Sequence, residues 1–463
     1  MDLFTKISRR EALKYAAASA ATLALAACNS SSPTGSSSSS NGGTLNVWVW
    51  AGATLQQKAF NAIAAAYPGS FKNVKLNITT VPNGDAGVAQ QFSLALAARK
   101  NIPDFMLLNY TEVPEFAEVG VLEDLSKIIS PVKDDLYSGA QQISTYNSTS
   151  VTVPWQLKSK LFYYRADLFE QAGIDVDKIA TVDDFIAAGH KFHAKFPKQY
   201  ILNLGQQPVG YWYGELMSAF PNASFADKSG NYQLATSPAF AQTYTFLKQI
   251  HDSGIAYPID DFTADWPAAI KNGTICGFLI ANWMQDFLPG YATAAQVGKW
   301  QVKTWPQFFP DVDEKYGSDA GGSVWVVPTG GANKDLAMEY LSKLVLDKQG
   351  ALAAFNATGN PPLLKSVQST VLDSINNSQQ PSSMSRADWL ALPQNFFGKS
   401  YFPTQFTSYD LVKAFGYDPA ATKEFTIFEQ WANNVVQGKA SVDSALAGAQ
   451  HDMQSQIGNP YQH

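Results

Sequence analysis

The stretch TLNVWVW (Thr44–Trp50) decides the fold, because its β-branched and aromatic residues alternate as they do in a strand. Apolar residues then recur at helical spacing over Leu55–Tyr67, and VKLNITTV (Val74–Val81) predicts a second strand. A helix over Val88–Lys100 and an apolar strand over Pro103–Leu108 continue the alternation. Strands that alternate with helices favour an α/β fold with a parallel sheet covered on both faces.

Three later segments also have helical patterns. Apolar residues recur at helical spacing over Thr181–Lys195, Ser237–Ser253 and Lys334–Leu346. Thr181 stands where a side-chain oxygen can cap the first of these helices, and the two acids at positions 183 and 184 suit its first turn. With 463 residues the chain is long enough for two or three domains.

The composition limits the kinds of partner. Charged residues make up 16% of the chain and aromatic residues 13%, so charges are scarce and aromatic rings are plentiful for a protein of this size. The 33 basic residues are outnumbered by 39 acidic ones and form no cluster that could neutralise a run of phosphates. We therefore expect uncharged ligands and no nucleic-acid partner.

The first 43 residues carry signals for export and attachment. Arg9-Arg10 precedes 13 mostly apolar residues, Tyr15–Ala27, which are too few to cross about 30 Å of hydrocarbon as a helix. This segment resembles a twin-arginine signal that runs into a lipoprotein lipobox, LAAC, ending at Cys28. The resemblance implies a signal peptide over residues 1–27 and a lipid on Cys28. The Ser- and Gly-rich residues 28–43 predict a flexible tether.

The other residues that could carry chemistry favour no catalytic or metal site. With Cys28 assigned to the lipid, Cys276 is the remaining cysteine, and the apolar run TICGFLI around it predicts a buried strand residue. His190 and His193 are three apart on a predicted helix but lack the spacing of a zinc motif. GKS at Gly398–Ser400 lacks the earlier glycine of a phosphate loop. We therefore expect no metal and no cofactor.

Several aromatic residues stand beside small or polar residues at predicted loops and turns. An aromatic face with a nearby amide suits a pyranose, whose C–H face stacks on a ring and whose hydroxyl groups need hydrogen bonds. Core packing is the alternative for each of these rings, since an aromatic side chain buries a large area. The residues are Trp50, Tyr110, Trp155, Tyr211, Trp212, Tyr213, Trp283 and Trp325.

Five landmarks follow one another in the order and spacing of a known family. They are the Leu45–Trp50 strand; IPD at Ile102–Asp104 followed by FAEVGVLEDL at Phe116–Leu125; VPW at Val153–Trp155 with LFYYRADLF at Leu161–Phe169; KNGT at Lys271–Thr274 leading to Asn282–Trp283; and GGS at Gly321–Ser323 leading to Val327–Pro328. In these features the chain resembles the extracellular solute-binding lipoproteins of ABC importers, the family that includes maltose-binding proteins.

This resemblance implies an α/β, two-lobed fold of the periplasmic-binding-protein type (class II), with a hinge and a ligand cleft between the lobes. Lobe 1 would comprise residues 44–152 and 326–370, and lobe 2 residues 153–325 and 371–463. The chain would cross between the lobes near Val153-Pro154 and Trp325-Val326, and the proline suits a crossing strand because it favours extended backbone.

By the same resemblance, Trp283 would stack on the ligand, although Asn282 stands where the family usually has glycine. Thr111 and Glu112 occupy the positions of an acidic–basic pair in maltose binders, which argues against maltose itself. Which of the C-terminal aromatics faces the cleft stays open: Phe396, Phe397, Tyr401 or Phe402. The expected ligand-binding residues are Trp50, Asn109, Tyr110, Glu112, Trp155, Lys158, Tyr211, Trp212, Trp283, Gly322, Ser323 and Trp325.

The resemblance implies a non-catalytic, monomeric binding protein, held by its lipid at the outer face of the cytoplasmic membrane. It would capture a neutral sugar, an oligosaccharide, and deliver it to the permease subunits of an ABC importer. Two alternatives stay open. A glycan-active enzyme would need two carboxylates about 5 to 9.5 Å apart across the sugar. A binding protein for a charged solute would need charges in the cleft, where Glu112 and Lys158 are the exceptions to a nearly neutral lining.

Overall fold

The computed structural model describes residues 42–50, 54–82, 84–205, 211–220, 223–304, 308–309, 312, 317–318, 322–380, 382, 384–413 and 415–462. The predicted signal peptide, Cys28 and all but the last two residues of the tether lie outside the described residues. Among the described helices, none combines the length and the apolar character that crossing a bilayer requires.

The strands are short, and most of them lie in the first three quarters of the chain. Their bounds are β1 Gly43–Trp50, β2 Val74–Val81, β3 Phe105–Asn109, β4 Thr145–Tyr146, β5 Thr149–Ser150, β6 Val153–Gln156, β7 Lys160–Arg165, β8 Leu202–Asn203, β9 Ala256–Tyr257, β10 Gly277–Ala281, β11 Trp300–Thr304, β12 Gly317–Ser318, β13 Ser323–Val326 and β14 Val412–Lys413.

Helices fill the connections between these strands and most of the C-terminal segment. Their bounds are α1 Thr54–Ala66, α2 Pro68–Phe71, α3 Gly84–Ala98, α4 Val113–Glu118, α5 Ser126–Ile129, α6 Ser138–Ile143, α7 Ala166–Gln171, α8 Val182–Lys195, α9 Tyr211–Met217, α10 Pro238–Ser253, α11 Trp266–Lys271, α12 Leu288–Tyr291, α13 Lys334–Leu341, α14 Lys348–Thr358, α15 Gln368–Asn376, α16 Arg386–Ala391, α17 Pro393–Phe396, α18 Tyr401–Leu411, α19 Ala421–Val436 and α20 Val442–Gln456.

The predicted strand and helix segments are confirmed, with small shifts at their ends. Thr181 caps α8, because its hydroxyl accepts a hydrogen bond from the Asp184 backbone N–H (3.1 Å) and the Asp184 carboxylate accepts one from the Thr181 N–H (3.0 Å). The predicted helix over residues 334–346 ends as regular α-helix at Leu341 and continues as a π-helix over Ser342–Leu346.

The main sheet has five strands in the order β2-β1-β3-β13-β6. Strands β1, β2 and β3 are parallel, as the alternation of strands and helices predicts. Strand β13 runs antiparallel to both β3 and β6. The predicted parallel pairing is thus confirmed for the first three strands, whereas β13 joins the sheet from the opposite direction, after the chain has passed through β7 to β12.

A second sheet has three strands in the order β10-β7-β11, and both pairs are antiparallel. The predicted parallel sheet is based on the strands before residue 110 and does not include these three strands. The segments between these strands are long and helical, so helical connections in the sequence do not by themselves establish parallel pairing.

The two sheets are joined where β6 ends and β7 begins, across the three residues 157–159. The lobe limits expected from the sequence place residues 153–156 and 323–325 in lobe 2, whereas β6 and β13 pair within the five-stranded sheet of lobe 1. A later segment is tied to the same strand: Gln156 Nε2 donates to Asn360 Oδ1 (3.1 Å), and Asn360 Nδ2 donates to the Trp155 carbonyl (3.3 Å).

Aromatic rings form the core of lobe 1. The Trp325 indole, on β13, lies 5.7 Å from the Phe60 ring of α1 and 5.4 Å from the Phe105 ring of β3, measured between centroids. Tyr340 of α13 closes the cluster, 6.1 Å from Phe105. All four side chains are buried, so this cluster joins the sheet to the helices on one of its faces.

Candidate ligand-binding site

Three predicted site residues from separate segments meet at the edge of the five-stranded sheet. Trp50 ends β1, Asn109 ends β3, and Lys158 lies in the link between β6 and β7. The Lys158 ammonium donates a hydrogen bond to Asn109 Oδ1 (2.5 Å) and lies 5.7 Å from the centroid of the Trp50 ring. All three side chains are half-buried. The arrangement presents an amide, a cation and an aromatic face together.

Trp283 is attached to the same link through its neighbour Asn282. The Asn282 backbone N–H donates to the Ser159 carbonyl (2.9 Å), and its side-chain amide donates to the Leu157 carbonyl (3.0 Å) and to the Tyr409 hydroxyl (3.0 Å). Asn282 is buried. Asn282 therefore bonds within the protein and fixes the turn that carries Trp283.

Two aromatic residues outside the predicted site lie against Trp283. The Phe262 ring lies 5.4 Å from Trp283 at an interplanar angle of 25°, and Phe287 meets the indole nearly edge-on, at 5.7 Å and 87°. Phe262 is 54% exposed and Phe287 37% exposed. Phe262, Trp283 and Phe287 are here called the aromatic platform. Phe287 could have been found from its spacing of four residues from Trp283, whereas Phe262 has no such signal.

Tyr110 and Glu112 lie on a single 3₁₀ turn, Tyr110–Glu112, directly after β3. The Tyr110 hydroxyl donates to the Thr145 carbonyl (2.5 Å), and its ring lies 6.0 Å from that of Tyr417 in the C-terminal segment. Tyr110, Glu112 and Tyr417 are all buried. This turn therefore joins the end of β3 to a segment that the sequence assigns to the other lobe.

Trp155 and Trp325 are core residues, which corrects the expectation that they line the cleft. Trp325 is fully buried and Trp155 is 5% exposed, and their rings are 6.0 Å apart. Both residues lie inside strands of the five-stranded sheet, where an inward side chain packs against the helices that cover it.

Gly322 and Ser323 also lie in packed surroundings. A Cβ on Gly322 would come within 2.6 Å of Ile143 Cδ1, and the Gly322 carbonyl accepts a hydrogen bond from the Tyr110 N–H (3.0 Å). Ser323 is fully buried at the start of β13. These two residues support the turn that holds Tyr110, and they present no side chain at the surface.

Tyr211 and Trp212 open α9, and their side chains lie outside the described part of the structure, so their contact with ligand stays a prediction. The helix packs against the C-terminal segment: a Cβ on Gly214 would lie 3.3 Å from the Tyr417 hydroxyl. The C-terminal aromatics that the sequence left open, Phe396, Phe397, Tyr401 and Phe402, are all buried.

Several titratable groups are buried, and burial shifts their pKa values. Asp418 and Glu424 are buried in the C-terminal segment, where burial raises the pKa of Asp418 to about 6 and that of Glu424 well above its ordinary value. Burial also raises the pKa of the Cys276 thiol to about 12, which agrees with the predicted buried residue. Across the described ranges, no three His, Cys, Asp or Glu side chains come together as a metal site requires.

The sequence matches a family model described as bacterial extracellular solute-binding protein, over residues 58–380. The arabinooligosaccharide-binding protein of Bacillus subtilis is 21% identical over 307 residues, which are 63% of this chain and 66%, just under two thirds, of the relative. The diacetylchitobiose binding protein DasA of Streptomyces coelicolor is 25% identical over 337 residues, 71% of this chain and 75% of the relative.

Two solved structures have the same fold. The ABC transporter associated binding protein from B. animalis subsp. lactis Bl-04, in complex with beta-1,6-galactobiose, superposes with a TM-score of 0.70 at 21% identity, covering 90% of this chain and 98% of that one. The galacto-N-biose-/lacto-N-biose I-binding protein of Bifidobacterium longum gives a TM-score of 0.71 at 20% identity, with the same coverage. The predicted two-lobed α/β fold is thereby confirmed.

The match over residues 58–380 covers more than half of the chain. It agrees with the resemblance that the five landmarks carry, and members of the matched family are exported binding proteins rather than enzymes. The chain belongs to the family of bacterial extracellular solute-binding proteins.

Proposed function

We propose that this protein binds a neutral carbohydrate, an oligosaccharide, between its lobes and delivers it to the permease subunits of an ABC importer, without catalysing a reaction. The observation that carries the proposal is the aromatic platform, which Asn282 ties to the link bearing Lys158. The names of the relatives agree with it, since they are described as binding arabinooligosaccharide, diacetylchitobiose and lactose.

The chemistry of the site suits a sugar better than an ion. The Trp283 face can stack on the C–H face of a pyranose, and the Asn109 amide and the Lys158 ammonium can bond to its hydroxyl groups. A charged ligand that is buried in the protein would need an opposite charge from the protein for each charge that it carries. Lys158 is already bonded to Asn109, so the exposed surface beside it is mainly aromatic and amide.

Binding would close the cleft. A ligand that touches both Trp50 of lobe 1 and Trp283 of lobe 2 has more contacts when the lobes are together, and this difference in affinity shifts the population toward the closed form. A permease that recognises the closed form would then receive loaded protein in preference to empty protein.

The N-terminal residues suggest how the protein is held. We propose that residues 1–27 are removed, that Cys28 carries the lipid, and that the tether places a monomeric binding domain at the outer face of the cytoplasmic membrane. The length of the tether would allow the two lobes to turn toward the permease.

A thermal-shift screen of the full chain in detergent tests the proposed ligand class. The sugars are arabinotriose, N,N′-diacetylchitobiose, lactose, β-1,6-galactobiose and maltotriose, with amino acids and polyamines as comparison solutes. A sugar at 100 times its Kd should stabilise the native state by about 2.7 kcal/mol. Trp283→Ala should abolish this shift, whereas Trp431→Ala, on the face of α19 that packs against α20, should leave it in place.

Each result bears on one part of the proposal. If only charged solutes raise the melting temperature, the carbohydrate class is wrong. If a sugar raises it and is found cleaved by chromatography, the enzyme alternative replaces the binding function. If Trp283→Ala keeps the full shift, the platform is not the binding surface.

A further inference from the structure

Phe262 has a backbone conformation that its side chain does not favour. Its φ is +61°, in the left-handed region that glycine and asparagine tolerate and that bulky residues seldom adopt. Its ring is also 54% exposed, so the residue gains little from burial in return for the strain. Such a combination points to a role for the ring other than folding.

The ring of Phe262 contacts three aromatic rings: the buried Trp266 of α11, at 5.3 Å and 59°, and the two other rings of the platform. It lies nearly parallel to the Trp283 indole, at 5.4 Å and 25°, and it meets Phe287 edge-on at 5.8 Å and 75°. A centroid distance of 5.4 Å between nearly parallel rings corresponds to offset stacking. Phe262 therefore covers part of one indole face and limits how far the indole can turn.

The residues on both sides of Phe262 are held in place. The buried Asp261 carboxylate accepts a hydrogen bond from Asn203 Nδ2 (2.7 Å), and the same amide donates to the Ile259 carbonyl (3.1 Å). On the other side, the Thr263 hydroxyl donates to the Asp260 carbonyl (2.9 Å). Side-chain hydrogen bonds therefore hold the turn before and after the strained residue.

A buried lysine interacts electrostatically with the Asp261 carboxylate of this turn and pairs with the strand that precedes Trp283. Lys160, at the start of β7, is fully buried and pairs with Ala281, two residues before Trp283. Burial lowers the pKa of Lys160 well below its ordinary value, and the Asp261 carboxylate acts against this shift. Lys160, Asn203 and Asp261 are here called the polar anchor.

We propose that Phe262 is a positioning residue for ligand binding: the polar anchor holds it in its strained conformation so that it fixes the plane of the Trp283 indole before the sugar arrives. This inference rests on the proposed function, since it concerns the same site. A ring that is already oriented loses less conformational freedom when the ligand binds, and the affinity is higher for that reason.

Phe262→Gly separates this role from a structural one. Glycine relieves the strain, so the variant should melt at the same temperature as the wild type or higher, while its affinity for the most stabilising sugar of the screen falls about tenfold. Arg99→Gly is the matched control, because Arg99 also has a positive φ (+53°) on an exposed turn of lobe 1. It should raise the melting temperature and leave the affinity unchanged.

A double-mutant cycle tests whether Phe262 acts through Trp283. In a Trp283→Ala background, measured by calorimetry with the same sugar at raised concentration, Phe262→Gly should have no further effect on affinity. A tenfold loss that persists in this background would mean that Phe262 contacts the sugar itself. Unchanged or tighter binding in the single Phe262→Gly variant would also overturn the proposal.

A measurement without ligand keeps the inference separate from the proposed function. In protein labelled with 5-fluorotryptophan, the Trp283 ¹⁹F resonance is the one lost in Trp283→Phe. Asp261→Asn and Phe262→Gly should each shift or broaden it, whereas Asp252→Asn, at an exposed carboxylate of α10, should not. If no sugar binds but the resonance moves, the ligand class fails and the positioning stands; if Asp261→Asn leaves it in place, the polar anchor does not position the platform.

Discussion

The aromatic core of lobe 1 and the aromatic platform of lobe 2 are built from the same kinds of residue but differ in burial: the core rings are buried, whereas the platform rings are partly exposed. Trp325 lies inside β13 and is fully buried against Phe60 and Phe105. Trp283 lies two residues beyond the end of β10 and is only half-buried. A tryptophan inside a central strand packs the core, whereas one just past a strand end can keep part of its ring at the surface.

The two regions also differ in what holds the ring in place. Trp325 is held by other rings. Trp283 is held by the hydrogen bonds of Asn282 and, on our proposal, by Phe262 and the polar anchor. Packing against many neighbours contributes to stability, whereas a few directed bonds fix orientation at a small gain in stability. Mutations in the two regions should therefore separate stability from affinity.

The largest effect is expected in the core. Trp325→Ala removes a fully buried indole and should lower the free energy of unfolding by about 3 to 5 kcal/mol, as measured by urea denaturation. Trp283→Ala, by contrast, should cost less than about 2 kcal/mol. Equal losses of stability would show that the platform is as much a part of the core as Trp325 is.

A smaller effect is expected from pH, and it should arise in lobe 2. Because the pKa values of Asp418 and Glu424 are raised in the folded state, the native protein holds protons that the unfolded chain releases above about pH 4. Their contribution to stability is therefore complete at low pH and is lost as the pH rises through about 6 and above, where Asp418 titrates.

Glu424→Gln should reduce this loss, because the amide stays neutral. Between pH 5 and pH 8 the wild type should lose about 2 kcal/mol more stability than the variant, measured as urea midpoints at each pH. Asp134→Asn, at an exposed site in lobe 1, is the control and should follow the wild type. A variant curve that parallels the wild type would assign the pH dependence to other groups.

The smallest effect on stability is expected at Lys158. Lys158→Gln removes a cation that is half-exposed, and the free energy of unfolding should change by less than about 1 kcal/mol. Its affinity for the sugar should fall severalfold, because Asn109 and Trp50 lose the group that joins them. Lys178→Gln, with a side chain 83% exposed, should change neither quantity. A large stability loss at Lys158 would place it with the core residues.

The sequence predicts the strands and helices well because their patterns are local. The period-two alternation of residues 44–50 and the capping residue Thr181 act within a few residues of themselves. Strand direction is not local: the antiparallel pairing of β13 and of β7 involves strands that are far apart in the sequence, and no local sequence pattern indicates it.

The site is predictable only in part, for the same reason. Trp50, Asn109, Lys158 and Trp283 all lie at strand ends or in a short link, positions that the sequence pattern indicates. Trp155 follows Pro154, and Trp325 closely follows Gly322-Ser323, which indicates a turn, but both lie inside strands and are buried, so the pattern misassigns them. Phe262 could not be predicted, because its stacking depends on a backbone angle set by residues more than 50 positions away.

The side-by-side pairing of β6 and β13, with Asn360 bonded to β6, has a mechanical consequence. An assembly joined through one flexible strand could swivel in any direction, whereas one joined through adjacent, hydrogen-bonded strands can bend easily about a single axis and resists twisting. Closure of the two halves should then follow one path and end in one shape. A receptor in the membrane would need to recognise that single shape, whichever sugar the protein carries.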